Sequence, residues 1–160
     1  MQLSFQHHYR GTPAEVVQLM RNPEFIADIA KSAGALDYNV DVQGEVATVD
    51  MTVAAPKNAA KLIGDVVRTQ QRFQWLENDV PGHYWGVIDI TVAGAPVTAN
   101  AEAQLRPLGS AESEATYQGQ AQVRIPLLGK KLEAQVEPVI ATAFVELEQR
   151  INDWLSGEAS

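Results

Sequence analysis

The chain has 160 residues and a formal net charge of −8; it is 46% hydrophobic and 20% charged, and it contains no cysteine. These values fit one soluble globular domain with a sizeable core, and without thiols there are no disulfides, cysteine nucleophiles or cysteine metal ligands. The acidic charge argues against nucleic acid and anionic membrane surfaces as partners, because phosphate binding needs clustered lysine and arginine.

The first part of the chain predicts one strand and two short helices. Residues 3–9 alternate between apolar and polar side chains, as in a half-buried strand. Thr12 followed by a proline is an N-cap signature for a helix over 13–20. Asn22 followed by a proline repeats the signal for a helix over 23–32, and a glycine comes shortly after it.

Six further alternating segments predict an antiparallel meander. They span residues 36–42, 47–53, 67–76, 84–92, 97–103 and 116–125. A two-residue turn at Gln43-Gly44 and a loop over 93–96 set the register of two hairpins. The expected pairs are Val42–Glu45, Val40–Ala47, Tyr38–Val49 and Leu36–Met51 in the first hairpin, and Ile90–Ala99 and Ile88–Ala101 in the second. Residues 57–65 predict a short helix or ordered loop across one end of the sheet.

The last third of the chain predicts one long amphipathic helix. Apolar residues recur at helical spacing from Leu132 to Leu155. Such a wide apolar stripe needs a large apolar surface, which here only the sheet provides. Pro138 either kinks this helix, because it removes a backbone donor and clashes with the preceding turn, or begins it after an irregular turn over 130–137.

The inward rows of the predicted strands carry no ionisable side chain except tyrosine and His7. In the last two strands the inward-facing side chains are unusually small: Ala99, Ala101, Ala103, Gly119 and Ala121. Two interpretations stay open. In the first, close packing fills the room above the small residues, with side chains from Ile140, Phe144 and Trp154. In the second, an apolar cavity remains, with tyrosines and a histidine as its few polar groups.

Three segments, together with the order of elements, carry a family resemblance. They are Lys61-Leu62-Ile63-Gly64-Asp65, Trp75 at the end of the following strand, and Ile125-Pro126-Leu127-Leu128-Gly129 before the last helix. The whole chain resembles the helix-grip fold of the START-like (SRPBCC) superfamily, which includes plant pathogenesis-related allergens, polyketide aromatase/cyclases and lipid-transfer domains. Within it, the segments are similar to an uncharacterised bacterial family known as a domain of unknown function.

The resemblance implies an α+β fold in which an antiparallel sheet of six to seven strands wraps around the C-terminal helix, as one domain over residues 1–160. It also implies a cavity between sheet and helix that holds sterols, lipids, polyketides or other hydrophobic compounds. We expect its ligand-binding residues on the inner rows, the crossing segment and the helix: His7, Tyr38, Met51, Ile63, Phe73, Trp75, Tyr84, Ile88, Ala101, Tyr117, Gly119, Val136, Ile140 and Phe144.

Neither a catalytic site, a metal site nor a cofactor is predicted. His7 and His8 point to opposite faces of a strand and cannot chelate one ion together, and His83 has no carboxylate at ligand spacing. The GxSxG, HExxH, P-loop and GxGxxG motifs are absent from the sequence. Cyclases of the superfamily use polar or acidic groups inside the cavity, whereas these inner rows offer only tyrosine and His7. We therefore interpret His7 as a core histidine rather than a general base, and Glu146, Glu148 and Arg150 as helix-surface charges.

The leading functional hypothesis is a carrier or sensor of a hydrophobic small molecule or lipid. The alternatives are a cyclase- or hydrolase-type enzyme using the same cavity, and a regulatory interaction module whose exposed apolar patch lies near residues 57–64. No integral membrane segment is predicted, since no run approaches about 18 apolar residues. The N-terminus does not resemble a signal peptide, so the cytoplasm is the expected location. Ligand identity and oligomeric state are not predicted.

Overall fold

The computed structural model describes residues 1–57 and 59–157, which form seven strands and four helices. In chain order the elements are β1 (Gln2–Tyr9), α1 (Pro13–Met20), α2 (Pro23–Ser32), β2 (Asp37–Gln43), β3 (Val46–Ala54), α3 (Ala60–Ile63), β4 (Val66–Glu77), β5 (Tyr84–Val92), β6 (Val97–Leu108), β7 (Glu112–Val123) and α4 (Gly129–Leu155). The strands form one antiparallel sheet in the order β1-β7-β6-β5-β4-β3-β2. The predicted α+β helix-grip architecture is confirmed.

The two N-terminal helices begin where their capping residues predict. Thr12 and Glu15 form a reciprocal capping box: the Glu15 N–H donates to Thr12 Oγ1 at 3.2 Å, and the Thr12 N–H donates to Glu15 Oε1 at 3.1 Å. At α2, Asn22 Oδ1 accepts the Glu24 N–H at 2.9 Å. Each cap stabilises its helix by about 1 kcal/mol. The helices pack on each other and on α4, and α1 also packs on β6 and β7.

One predicted hairpin register is confirmed and the other is wrong. Ile88 pairs with Ala101 between β5 and β6, as expected. In the first hairpin Val42 lies opposite Ala47, two residues away from its predicted partner. The cause is Gly44, which has a φ of +60° and is the first rather than the second turn residue, a position that glycine also favours in hairpin turns. Because the shift is an even number of residues, the apolar faces still coincide.

Three segment boundaries differ from the sequence-based expectation. Leu36, predicted to begin the second strand, lies outside β2 and is exposed. Ile125, predicted to end the last strand, lies beyond β7. Among the described residues of the segment 57–65, only the four of α3 are helical, and Gly64 ends the helix with a φ of +91°. Asn58, within the same segment, lies outside the described residues.

The last helix, α4, is continuous over 27 residues. Pro138 lies inside it, so the interpretation in which this proline begins the helix is wrong. A proline provides no N–H to the carbonyl four residues earlier, here that of Ala134. Both residues are exposed, so water can hydrogen-bond to that carbonyl at little cost.

The C-terminal half of α4 is hydrogen-bonded to the backbone at the free edge of β1. The backbone N–H of His8 donates to Glu148 Oε2 at 2.7 Å. Asn152 Oδ1 accepts the Arg10 N–H at 2.8 Å, and Asn152 Nδ2 donates to the His8 carbonyl at 3.0 Å. Glu148 and Asn152 are four residues apart and therefore share one face of the helix. The interpretation of Glu148 as a plain surface charge is wrong, because its carboxylate hydrogen-bonds to the backbone of an edge strand.

Trp154 connects the end of α4 to α2. Its Nε1 donates to Asp28 Oδ2 at 3.0 Å, and its ring stands edge-on to Phe25 with centroids 5.6 Å apart. Arg150 lies 3.5 Å from the same Asp28 carboxylate. The interpretation in which Trp154 fills the room above the small sheet residues is therefore wrong.

Candidate ligand-binding site

The inner face of the sheet consists of rows of side chains that cross neighbouring strands. One row contains Val42, Ala47, Phe73, Ile88, Ala101, Gly119 and Leu3, and the next contains Trp75, Gly86, Ala103, Tyr117 and Phe5. Tyr38 and Met51 pair at one end of the face, and Tyr84 and His7 lie in a row at the other. The structure thus places all the predicted strand residues on one face, although they occupy different environments along it.

The part of this face beneath α1 and the end of α4 is a closed core. Trp75 is 2% exposed and Tyr117 1% exposed, and the two rings meet edge-on with centroids 6.5 Å apart. Trp75 lies flat against Gly86, where a Cβ atom would come within 2.8 Å of the ring. Ala103, also paired with Gly86, is fully buried. At this end the small residues make room for the protein's own aromatic rings.

Three buried polar side chains form a hydrogen-bonded chain within that core. Tyr9 Oη lies 2.7 Å from His7 Nδ1 and 2.7 Å from Tyr117 Oη, and all three side chains are at most 3% exposed. Burial lowers the pKa of His7 from its ordinary value, against the opposing effects of Glu148 and a backbone hydrogen bond with Phe144. Burial also raises the pKa of Tyr9 well above its ordinary value and that of Tyr117 to about 12. The chain is therefore uncharged at neutral pH.

Because the three side chains are uncharged, the donors and acceptors along this hydrogen-bonded network can be assigned. If His7 Nε2 carries the proton, His7 Nδ1 accepts from Tyr9 Oη, and Tyr9 Oη accepts from Tyr117 Oη. Each group then has a partner inside the core. A general base would need an open approach to substrate, whereas the chain is closed and the nearest carboxylate, Glu148, is bonded to the His8 N–H. The geometry is that of a satisfied core network.

The buried imidazole is expected to make stability fall in mild acid. The unfolded chain binds a proton near pH 6.5, whereas the lowered pKa keeps folded His7 neutral below that pH. Stability is therefore complete above pH 6.5 and declines, by at most about 1.4 kcal/mol per pH unit, as the pH falls towards the folded pKa. Urea unfolding at pH 5 to 8 should show a shallower decline in His7→Gln than in the wild type. Identical slopes would contradict this assignment.

The rest of the inner face is mostly apolar and partly exposed, although Val49 and Ala121, in the row of Ile90 and Ala99, are buried. Met51, Phe73, Ile90 and Ala99 are partly exposed, as are Val136 and Ile140 on the facing side of α4. The helix packs mainly on β1 and β7, so its cover does not extend evenly across β2 to β5. This partly exposed apolar surface lies beside the N-terminal half of α4.

Phe144 marks the boundary between the two parts. Its ring stacks on Phe5 with centroids 4.2 Å apart and planes 9° apart, and it stands edge-on to Tyr117 at 5.3 Å. Phe144 thus fills the space above β1 and β7, as the close-packing interpretation expects. The row that contains Ile90 and Ala99 lies outside this ring contact, so the second interpretation remains open there.

Gly119 serves strand packing rather than cavity space. A Cβ atom at this position would run into the carbonyl oxygen of Asn100 and lie 2.6 Å from Ala101 Cα, both on the neighbouring strand. Glycine here permits a close backbone approach between β6 and β7. The small size of Gly119 is therefore explained by strand packing and does not indicate a cavity above the sheet.

A small cavity lies at the end of the sheet next to α3. Its volume is about 190 Å³, and its walls are Leu62, Ile63, Val66, Val67, residues 92–96 and Ile125. A cavity of about 150 Å³ accommodates benzene, so this space fits one ring or the end of a longer chain. Leu62 and Val66 are half exposed and Leu127 is fully exposed. Ile63 is the predicted ligand-binding residue at this cavity, whereas Tyr84 lines a separate groove beside α1.

Residues 4–155 match the family described as "Protein of unknown function (DUF2505)". The chain belongs to the DUF2505 family. The predicted membership of a domain-of-unknown-function family is thereby confirmed. Comparison with curated protein sequences gives no match for this DUF2505 protein.

Solved structures of the same fold cover almost the whole DUF2505 chain. The Zhui aromatase/cyclase of Streptomyces sp. R1128 aligns with a TM-score of 0.69 at 10% identity, covering 98% of this chain and 93% of the other. Norcoclaurine synthase of Thalictrum flavum, in complex with dopamine and hydroxybenzaldehyde, aligns with a TM-score of 0.60 at 12% identity, covering 100% and 88%. The protein TTHA0849 of Thermus thermophilus aligns with a TM-score of 0.67 at 14% identity over 100% of both chains. At these identities the comparisons establish the fold.

The DUF2505 protein also carries polar groups on its inner face that the sequence analysis missed. Thr69 and Gln71 occupy the inner row of β4, between apolar partners on β3 and β5. Thr69 Oγ1, Trp75 Nε1 and Gln135 Oε1 on α4 are buried without a hydrogen-bond partner. The signal was present in the alternation: Phe73 and Trp75 face inward, so the residues two and four positions before Phe73 do as well.

The described part of the DUF2505 chain offers neither a metal cluster nor a membrane-spanning helix. Residues 1–57 and 59–157 contain no cluster of three histidine, aspartate or glutamate side chains that could hold a metal ion. His7 is buried and His8 is exposed, which confirms that they point to opposite faces. Across the same ranges, none of the helices is both long and apolar enough to span a membrane.

Proposed function

We propose that this protein binds a hydrophobic small molecule between the inner face of β2–β5 and the N-terminal half of α4, as a carrier or sensor. The observation that carries the proposal is the uneven cover of the sheet: α4 packs on β1 and β7, while the apolar rows beside it stay partly exposed. Mostly apolar surface with a few polar groups is typical of the walls of ligand sites. A guest there would remove Met51, Phe73 and Ile90 from water.

The polar groups on the same face indicate how a guest would be oriented. Thr69 and Gln71 lie in the two inner rows that also contain Met51 and Ile90. Sparse hydrogen-bonding groups within apolar walls fix the orientation of a ligand without dominating its affinity. The 190 Å³ cavity beside Ile63 would accept one end of a longer guest.

The charge of the inner face favours an uncharged guest. The inner rows of β1 to β7 carry no lysine or arginine in the described residues, and burial keeps His7 neutral. An anion buried there would lack a compensating charge, which is costly. A lipid, a polyketide or another neutral compound with a few hydroxyl or carbonyl groups fits these conditions.

The fold comparison agrees with this use of the face. Zhui is an aromatase/cyclase, and norcoclaurine synthase is known in complex with two small aromatic compounds. Cyclase- or hydrolase-type turnover has less support in this chain, because His7, Tyr9 and Tyr117 are buried and bonded to one another. The binding proposal needs no reactive group.

Filling the partly exposed row is expected to displace the guest without destabilising the protein. Native mass spectrometry of protein purified from its own host should detect a non-covalent hydrophobic compound. Ala99→Leu should reduce its occupancy at least tenfold with little change in melting temperature. Ala103→Leu, in the closed core, should lose about 1–3 kcal/mol through overpacking.

Thr98→Leu is the matched control, because Thr98 is the neighbour of Ala99 on the same strand and faces the outside of the sheet. It should leave the bound compound in place. The proposal fails if no compound is bound and Ala99→Leu destabilises the protein as much as Ala103→Leu does.

A further inference from the structure

A second concavity, next to the Tyr84 end of the inner face, lies between α1, the start of α2, the beginning of β5 and the end of α4. Its volume is about 640 Å³, within the range of small-molecule sites. Its walls include Glu15, Val17, Gln18, Arg21, Tyr84 and Trp154. We call it the α1 groove. The groove combines apolar and aromatic side chains with a single arginine.

Arg21 is the cation of the α1 groove, and one of its guanidinium N–H groups lacks a hydrogen-bond acceptor. Its Nη2 donates to the Trp75 carbonyl at 2.7 Å, while its Nε is buried with no hydrogen-bond partner. The ion pairs found in the described residues do not include Arg21. A buried guanidinium donor without an acceptor is unfavourable, and the planar guanidinium matches a carboxylate or sulfonate.

The carboxylate that lines the groove does not meet this need. Glu15 Oε1 accepts both the N–H and the Oγ1–H of Thr12 at the cap of α1. Asn22 Oδ1 is likewise committed, to the Glu24 N–H. Glu15 keeps its negative charge, but the ion pairs found among residues 1–57 and 59–157 leave the Arg21 guanidinium without a carboxylate at contact distance.

We propose that the α1 groove binds a monoanionic aromatic small molecule, with its acidic group on Arg21 and its apolar body against Val17, Tyr84 and Trp154. The ligand class follows from an arginine that forms no ion pair within the described residues and from the apolar and aromatic side chains beside it. The site is separate from the one on the inner face, where an uncharged guest is favoured. Either proposal can fail without the other.

A matched pair of dyes tests this assignment. 8-Anilinonaphthalene-1-sulfonate and N-phenyl-1-naphthylamine share one aromatic body and differ in a sulfonate group. Fluorescence titration of the wild type should show that the sulfonated dye binds at least tenfold more tightly, which corresponds to about 1.4 kcal/mol. Equal affinities, or tighter binding of the neutral dye, would overturn the proposal.

Removing the cation should erase the difference between the dyes. Arg21→Gln should weaken the sulfonated dye at least tenfold and change the neutral dye less than twofold. The control Arg72→Gln removes the same charge from the exposed outer face of β4 and should change neither dye more than twofold. An unchanged affinity for the sulfonated dye in Arg21→Gln, or an equal loss for both dyes, would overturn the proposal.

Filling the groove locates the dye and does not depend on the folding of Arg21→Gln. Gln18 is exposed and lines the groove, so Gln18→Trp should reduce binding of the sulfonated dye at least tenfold. Gln149→Trp on the exposed side of α4 and Ala99→Leu on the inner face should leave it within twofold. Retained binding in Gln18→Trp, or its loss in Ala99→Leu, would place the dye elsewhere and overturn the proposal.

Discussion

Replacing Gly119 with alanine is expected to cost more than about 4 kcal/mol of stability, beyond the 1–3 kcal/mol typical of overpacking. The obstructing atoms are the Asn100 carbonyl oxygen and the Ala101 Cα, which belong to the backbone and cannot rotate away. Gly119 pairs with Ala101 on one side and Leu3 on the other, so a shift of β7 would disturb both neighbouring strands. Urea unfolding followed by circular dichroism measures the loss directly.

The adjacent residue provides the control for this substitution. Gln118 lies on the same strand and is exposed, so Gln118→Ala should change stability by no more than about 0.5 kcal/mol. A Gly119→Ala variant within about 1 kcal/mol of the wild type would show that the strands are farther apart than described.

Trp75→Ala is expected to cost about 3–5 kcal/mol, because it empties the centre of the closed core. Its ring fills the space over Gly86 and contacts Tyr117 edge-on. Gly86→Ala alone should also destabilise, since the new Cβ would lie 2.8 Å from the ring. In the Trp75→Ala background, the same Gly86→Ala change should cost clearly less, because the obstructing ring is gone.

A double-mutant cycle in urea measures this coupling, which should lie between about 0.5 and 3 kcal/mol. Trp85 is the matched control, since it is the residue next to Gly86 and faces the opposite side of β5. Trp85→Ala should cost less than Trp75→Ala and should show no coupling to Gly86→Ala beyond about 0.5 kcal/mol. Strict additivity of Trp75→Ala and Gly86→Ala would contradict the packing of the ring on the glycine.

The local elements could be predicted because their signals lie within a few residues. Thr12 and Asn22 fix the starts of α1 and α2 through hydrogen bonds to residues two or three positions ahead. Strand faces follow from alternation, which survives even the error in the first hairpin. That error arose because Gly44 suits either position of a two-residue turn, and the sequence pattern does not choose between them.

The position of α4 on the sheet could not be predicted in the same way. Its periodicity identifies an apolar stripe but not which strands the stripe covers. That choice depends on polar contacts between residues more than 120 positions apart, made by Glu148 and Asn152 with β1 and by Trp154 with Asp28. In the sequence these polar residues look like ordinary exposed residues, yet their contacts determine which part of the inner face the helix leaves uncovered.

The small residues show why sequence alone left the cavity question open. Gly119, Ala103 and Ala99 belong to the same inner face, yet one permits close strand approach, one lies in the closed core, and one is partly exposed. The difference comes from the neighbours above each residue, which are set by tertiary packing. A small side chain therefore indicates that space is needed, without indicating what occupies it.

The hydrogen bonds between α4 and β1 also affect how readily the edge of the sheet can pair with another molecule. A strand at the border of a sheet offers unpaired amides and carbonyls to any other extended chain. At β1, Glu148 and Asn152 occupy such groups on His8 and Arg10. At the opposite border, β2 carries exposed Asp37 and Asp41, and like charges oppose the addition of a second copy. The side chains of α4 thus oppose strand addition at the His8 end of β1, and negative charge opposes it at the β2 border.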